Sequence, residues 1–175
     1  IVQVVAALKY LNEQEKPIIH YDLKPANVLL VDGKVKLTDF GLSKKMNESD
    51  DAGNMELTSQ GAGTYWYLPP ETFRISASGP PKISSKVDVW SVGVLFYQCL
   101  YGKKPFGNDQ SQQSILQQQT ILNAQTVHFP ATTKDNGLKV SKQAQDFIKR
   151  CLTYEMHDRP DVLDLAKDAY LCTSK

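Results

Sequence analysis

Two short stretches carry the side chains best suited to chemistry: His20-Tyr21-Asp22-Leu23-Lys24-Pro25-Ala26-Asn27, and Asp39-Phe40-Gly41. Between them, the strand-like runs Val28-Leu29-Leu30-Val31 and Lys34-Val35-Lys36-Leu37 flank Asp32-Gly33, a strong hairpin signal. A two-residue turn there pairs Val31 with Lys34 and Val28 with Leu37. It sets Asn27 opposite Thr38, with Asp39 next in the chain. The ribbon therefore brings an amide oxygen and a carboxylate to one end. Oxygen donors of this kind suit Mg2+, which keeps several waters and takes phosphate oxygens for the rest of its shell. Asp22 lies on the loop entering the same hairpin, where a carboxylate can accept the proton of an attacking hydroxyl. Lys24 can place its ammonium on a phosphate in transfer.

These residues need elements to hold them. Ile1, Val4, Val5, Leu8 and Leu11 fall on one helical face, so a helix runs to about Asn12, where Pro17 restarts the chain in an extended form. No capping residue precedes that helix, and we expect a chain cut from a longer protein. Alternating basic and apolar residues give the second hairpin strand one wet face. Residues Ser43 to Gly63 read as a polar loop whose acidic residues Glu48, Asp50, Asp51 and Glu56 are solvated. Tyr65 to Glu71, aromatic and Pro-rich, suits a rigid surface platform, and Ser76 to Pro81 is a further loop. Ser84 or Ser85 caps a helix to about Tyr101, stopped by Gly102, whose apolar residues lie nearly all round and make it the central buried helix. The Gln-rich stretch Gln110 to Gln119 admits a low-complexity reading, but Ile115, Leu116, Ile121 and Leu122 fit an amphipathic helix better. Ser141 caps a helix through Leu152 with Ala144, Phe147, Ile148 and Cys151 inward, and a last helix covers Val162 to Ala169.

Composition excludes some functions. The chain of 175 residues is long enough for one compact domain, and its formal net charge of +1 offers no basic field for nucleic acid. Val87 to Leu100 is too short and too interrupted to span a bilayer, and no signal peptide opens the chain. Cys99, Cys151 and Cys172 form neither a zinc pattern nor a disulfide framework, which points to a reducing compartment. Cys99 and Cys151 sit on apolar helical faces and are expected in the core. His128 and His157 are expected at the surface, and His20 as a packing residue beside Phe40 rather than a general base.

The catalytic stretch and Asp39-Phe40-Gly41 resemble the catalytic loop and metal-binding motif of protein kinases. The remaining motifs follow in order: Gly63-Thr64, Pro69-Pro70-Glu71, Asp88-Val89-Trp90-Ser91-Val92-Gly93, then Arg159. The resemblance covers essentially the whole chain. It implies a mainly α fold, the helical C-terminal lobe of a kinase domain with a short β-hairpin at the cleft. Its parts are a catalytic loop at 20–27, the metal motif at 39–41, an activation segment at 39–71 and a helical subdomain at 83–172. The Gly-rich phosphate loop, the strand lysine and its helix glutamate belong to an N-terminal lobe absent from this sequence, so the 175 residues alone are expected to be inactive.

By the same resemblance Asp22 is the catalytic base, Lys24 the lysine that serine/threonine kinases carry near it, and Asn27 and Asp39 the Mg2+ ligands in an ATP complex. Leu29 packs under adenine and Thr64 bonds to the catalytic loop. Glu71 and Arg159 form a buried ion pair, and Asp88 holds the catalytic-loop backbone. Tyr21 stands where most kinases have the arginine that clamps an activation-loop phosphate; we therefore expect the loop to be ordered from its Gly61 to Glu71 end.

The strings Leu57 to Glu71, Cys99 to Gly107 and Gln110 to Leu116 narrow the resemblance to the Tousled-like kinases. That implies a nuclear serine/threonine kinase (a cytoplasmic one without that resemblance), acting in chromatin assembly on a histone chaperone. Nucleic-acid and membrane contacts are not expected, and oligomerisation would use coiled coils outside this sequence. Two other readings stay open, a catalytically inactive kinase-like scaffold and the remnant of an incomplete gene.

Overall fold

The computed structural model describes residues 1–46, 54–74, 79–133 and 137–172. The acidic residues Glu48, Asp50 and Asp51 lie outside them, as do parts of the loops expected at 76–81 and 132–137. Among the described residues no helix is long and apolar enough to cross a membrane.

The expected helices form around one axis. Helix α2, Lys86–Tyr101, buries Val87 to Leu95 without interruption. Val89, Val92 and Leu95 pack on Val4, Val5 and Leu8 of α1 (Val2–Asn12), Phe147 and Cys151 of α4 (Lys142–Cys151) and Leu165 of α5 (Val162–Leu165). Trp90, Val94, Tyr97 and Tyr101 meet Ile115, Ile121, Ile148 and Leu152 on the other side. Gly93 is where α4 comes closest: a Cβ there would lie 2.7 Å from the Cβ of Cys151. The helix stops at Gly102, whose φ of 68° is left-handed and costs glycine nothing. At its start Ser85 is itself helical and makes no side-chain cap, while Ser84 Oγ accepts the Lys86 N–H at 3.3 Å.

The sheets are small. Strands β2 (Val28–Val31) and β3 (Lys34–Leu37) pair antiparallel in the expected register, Val28 with Leu37 and Val31 with Lys34. Asp32 and Gly33, at φ 49° and 73°, both take the left-handed conformation that a tight two-residue hairpin turn requires. Ile18–Ile19 (β1) pairs with Lys44–Lys45 (β4), and Met55–Glu56 (β5) with Lys82–Ile83 (β6). Both pairings fasten the segment after Asp39 to the body of the molecule.

Four expectations need correction. The Tyr65 to Glu71 platform is largely interior: Tyr67 through Glu71 are buried, with Tyr67 O accepting from Ser91 Oγ at 2.7 Å and Tyr67 Oη donating to Gln98 at 2.6 Å. Cys99 is exposed, because it lies on the solvent side of the last turns of α2; Cys151 is buried as expected. The last helix breaks in two, since Asp168 accepts the Tyr170 N–H at 2.9 Å and starts a separate turn, α6 (Ala169–Cys172). In the Gln-rich stretch, helix α3 covers only Gln112–Gln117, with Ile115 buried and Leu116 exposed. Its glutamines bond to one another and to hydroxyls: Gln110 Nε2 donates to Gln118 Oε1 at 2.6 Å and Gln118 Nε2 to Ser114 Oγ at 3.0 Å.

Candidate active site

Asp88 sits in the first turn of α2, fully buried, and its carboxylate accepts two backbone N–H groups, from His20 at 2.7 Å and from Tyr21 at 2.8 Å. Tyr21 is held at φ 69°, a strained conformation for a bulky residue. The chain bends sharply there, immediately before Asp22, which is itself buried. Burial pushes the Asp88 carboxyl up to about 6, against the two N–H bonds that favour its charged form.

Asp22 is the hub of the site. Its Oδ2 accepts from Lys24 Nζ at 2.7 Å and from Asn27 Nδ2 at 3.1 Å, and its Oδ1 accepts from Thr64 Oγ1 at 2.8 Å. Lys24 Nζ also reaches Thr64 Oγ1 at 3.0 Å, which closes a ring of Asp22, Lys24 and Thr64. A carboxylate has about four acceptor positions. Three are taken, and the remaining one is on Oδ1, beside the threonine hydroxyl. Asn27 is fixed by a second bond from Nδ2 to Asp22 O at 2.8 Å.

The hairpin sets the Asn27 and Thr38 backbones opposite each other. Thr38 N donates to Asn27 O at 3.0 Å, so the expected opposition is present and Asp39 follows directly. Asp39 is exposed at φ 60°, and its Oδ1 accepts the Gly41 N–H at 3.2 Å. Among the described residues no cluster of His, Cys, Asp or Glu could hold a metal by itself. An amide and one carboxylate fit an ion that draws most of its shell from phosphate and water, as Mg2+ does. Leu29, Leu30 and Phe40 are exposed along the same ribbon, an apolar surface beside the polar end.

The remaining residues are structural in their contacts. Arg159 and Glu71 form a buried double hydrogen bond, 2.8 and 3.2 Å, and Arg159 also donates to Thr153 O, Tyr154 O and Lys86 O. His20 is buried with its ring 5.0 Å from Phe40, and its Nε2 donates to Thr38 O at 3.1 Å. His128 and His157 are exposed. Tyr21 is buried; Lys44 Nζ lies 5.6 Å from its ring centre and donates to Ser59 Oγ at 2.5 Å. The ammonium that meets this part of the loop thus comes from β4. Sequence reasoning did not find Gln112, whose Oε1 accepts the Tyr65 N–H at 3.0 Å across 47 positions of the chain; no spacing signal exists for such a contact.

The protein kinase domain family matches residues 1–171. The chain is 60% identical to serine/threonine-protein kinase tousled-like 2 of Xenopus tropicalis, over 98% of this chain and 24% of that protein. It is 60% identical to tousled-like 1 of Homo sapiens, over 98% of this chain and 22% of that protein. It is 58% identical to TOUSLED of Arabidopsis thaliana, over 100% of this chain and 25% of that protein. The chain therefore spans about a quarter of the length of these relatives.

Proposed function

The chain belongs to the protein kinase family, with its similarity directed to the Tousled-like serine/threonine kinases, and from that premise we propose that it carries the phosphoryl-transfer half of an ATP-dependent serine/threonine kinase. The observation that supports this most is the hydrogen-bonded ring of Asp22, Lys24 and Thr64, joined to Asn27 at the end of a hairpin that also presents Asp39.

In the reaction, the acceptor hydroxyl oxygen bonds to the γ-phosphorus as the bond from that phosphorus to the ADP oxygen breaks, and the electron pair leaves with ADP. The hydroxyl proton goes to Asp22 Oδ1, the oxygen with spare acceptor capacity. Lys24 holds its ammonium beside that carboxylate and on the transferring phosphate. Asn27 and Asp39 would hold Mg2+, which when bound neutralises phosphate charge. Leu29 supplies apolar surface for the base of the nucleotide. The phosphate-binding loop and lysine of a complete nucleotide cleft would come from other parts of the parent protein.

Lys24 and Thr64 favour a serine or threonine acceptor, whose short side chain must reach deep toward Asp22, whereas a tyrosine acceptor needs a platform set further out. The Tousled-like similarity extends the proposal to a nuclear kinase whose protein substrate is a histone chaperone in chromatin assembly. The test uses the full-length protein with labelled ATP and Mg2+. Transfer to serine or threonine is expected, with a loss of several orders of magnitude in Asp22→Asn while ATP binding persists. Predominant phosphotyrosine, or near-normal turnover in that variant, sinks the proposal.

A further inference from the structure

Thr64 occupies the position before the 3-10 turn Tyr65–Tyr67, where a threonine hydroxyl would ordinarily cap the turn by accepting one of its first N–H groups. It makes no such cap, because its Oγ1 donates to Asp22 and accepts from Lys24. The N–H of Tyr65, which the hydroxyl of the residue just before it cannot reach, is accepted by Gln112 Oε1 at 3.0 Å. Gln112 opens α3, whose own start is fixed by Ser111 Oγ accepting the Ser114 N–H at 3.1 Å. The turn has a second tie to this region through Trp66 Nε1, which donates to Gly107 O at 2.6 Å.

We infer that Gln112 is a positioning residue for the transfer reaction: by accepting the Tyr65 N–H it fixes the peptide that joins Thr64 to the turn, and so the backbone from which the Thr64 hydroxyl reaches Asp22. Without it, that peptide is free to rotate. A rotation there swings Oγ1 away from Asp22 Oδ1, the oxygen assigned to the acceptor proton. The glutamine touches neither nucleotide nor acceptor, and its effect passes wholly through Thr64. The inference rests on the kinase reading above.

The experiment compares Gln112→Ala, Gln112→Glu and Thr64→Val, singly and combined, in the full-length protein. Gln112→Ala should lower kcat for a serine peptide about tenfold, the rate equivalent of one lost hydrogen bond, with the KM for ATP unchanged. Gln112→Glu keeps an acceptor oxygen and should restore most of the rate. In the Thr64→Val background Gln112→Ala should cost nothing further, since residues acting through one another are not additive. Amide hydrogen exchange gives a readout that needs no turnover: the Tyr65 amide should lose protection in Gln112→Ala and keep it in Gln112→Glu. Additive losses, a failed rescue by glutamate, or an unchanged Tyr65 amide would each overturn the inference. An absence of transfer by the wild-type protein, with the Tyr65 amide responding as expected, would instead refute the kinase reading and leave the Gln112 cap established.

Discussion

The carboxylate of Asp88 accepts the backbone N–H of Tyr21 at 2.8 Å, and that one bond ties the most buried helix of the molecule to the residue that bends the chain into Asp22. Asp88→Ala would leave two buried N–H groups, those of His20 and Tyr21, without an acceptor. At about 1–3 kcal/mol for each, a large part of a domain's stability is at stake. Denaturant unfolding should show that loss, and full-length protein carrying the change should lose transfer although Asp22 is intact.

The same carboxylate predicts a pH dependence. Its acid form is favoured on folding, with the pKa pushed from 3.8 to about 6 by burial. The folded state therefore binds the proton more tightly than the unfolded state between those values. The contribution of Asp88 to stability falls as pH rises from about 4 to about 6 and is flat above. Urea unfolding of wild type and Asp88→Asn across that range checks it: only the wild type should carry this component, and equal slopes would refute it.

Glu71→Ala should be costly for a different reason. Arg159 is 1% exposed, and removing its partner leaves a buried guanidinium with backbone carbonyls alone to satisfy it. A loss of about 3–5 kcal/mol is expected. Glu71→Gln, which retains a carbonyl acceptor, should lose less. Calorimetric or denaturant melting of both variants makes the comparison.

Gly93→Ala tests the closest helix approach. The added methyl would fall 2.7 Å from Cys151 Cβ and 2.9 Å from Leu152 Cγ, atoms fixed to α4 rather than the ends of flexible side chains. Overpacking of about 1–3 kcal/mol is expected. A double-mutant cycle with Leu152→Ala should show a coupling that offsets only part of this cost, because Cys151 Cβ stays in place.

Short-range chemistry made much of this site legible in the sequence. The Asp32-Gly33 pair dictates the hairpin and its register, and the register alone brings Asn27 to Thr38 and so to Asp39. Ser141 could be read as a cap because its serine precedes an amphipathic run, and Ser141 Oγ does accept the Ala144 N–H. Contacts across long stretches of chain left no such trace. The Glu71–Arg159 pair was accessible only through family resemblance, and Gln112 not at all. The break at Asp168 was missed because its pattern continues helically, whereas its carboxylate binds both Arg150 and the Tyr170 N–H and so starts a new turn. Platform residues 67–71 looked like surface because aromatics and prolines do not announce which side faces α2.

The turn that sets the hairpin register is also where the chain has room to grow. A Cβ on Gly33 would meet nothing within 4 Å, and the neighbouring Leu30 is 73% exposed. On this end Gln3 Nε2 donates to Gly33 O at 3.0 Å and Gln3 Oε1 accepts the Val35 N–H at 2.7 Å, both in exposed positions. Doubling a flexible loop adds only about 0.6 kcal/mol of closure entropy. A reporter peptide or recognition tag spliced between Asp32 and Gly33 replaces the tight turn, so the Val28 to Leu37 pairing then rests on its own ladder and its packing on α1, while the Asp22 ring at the far end of the ribbon should keep its bonds. The molecule can be lengthened at a point roughly one strand away from its chemistry.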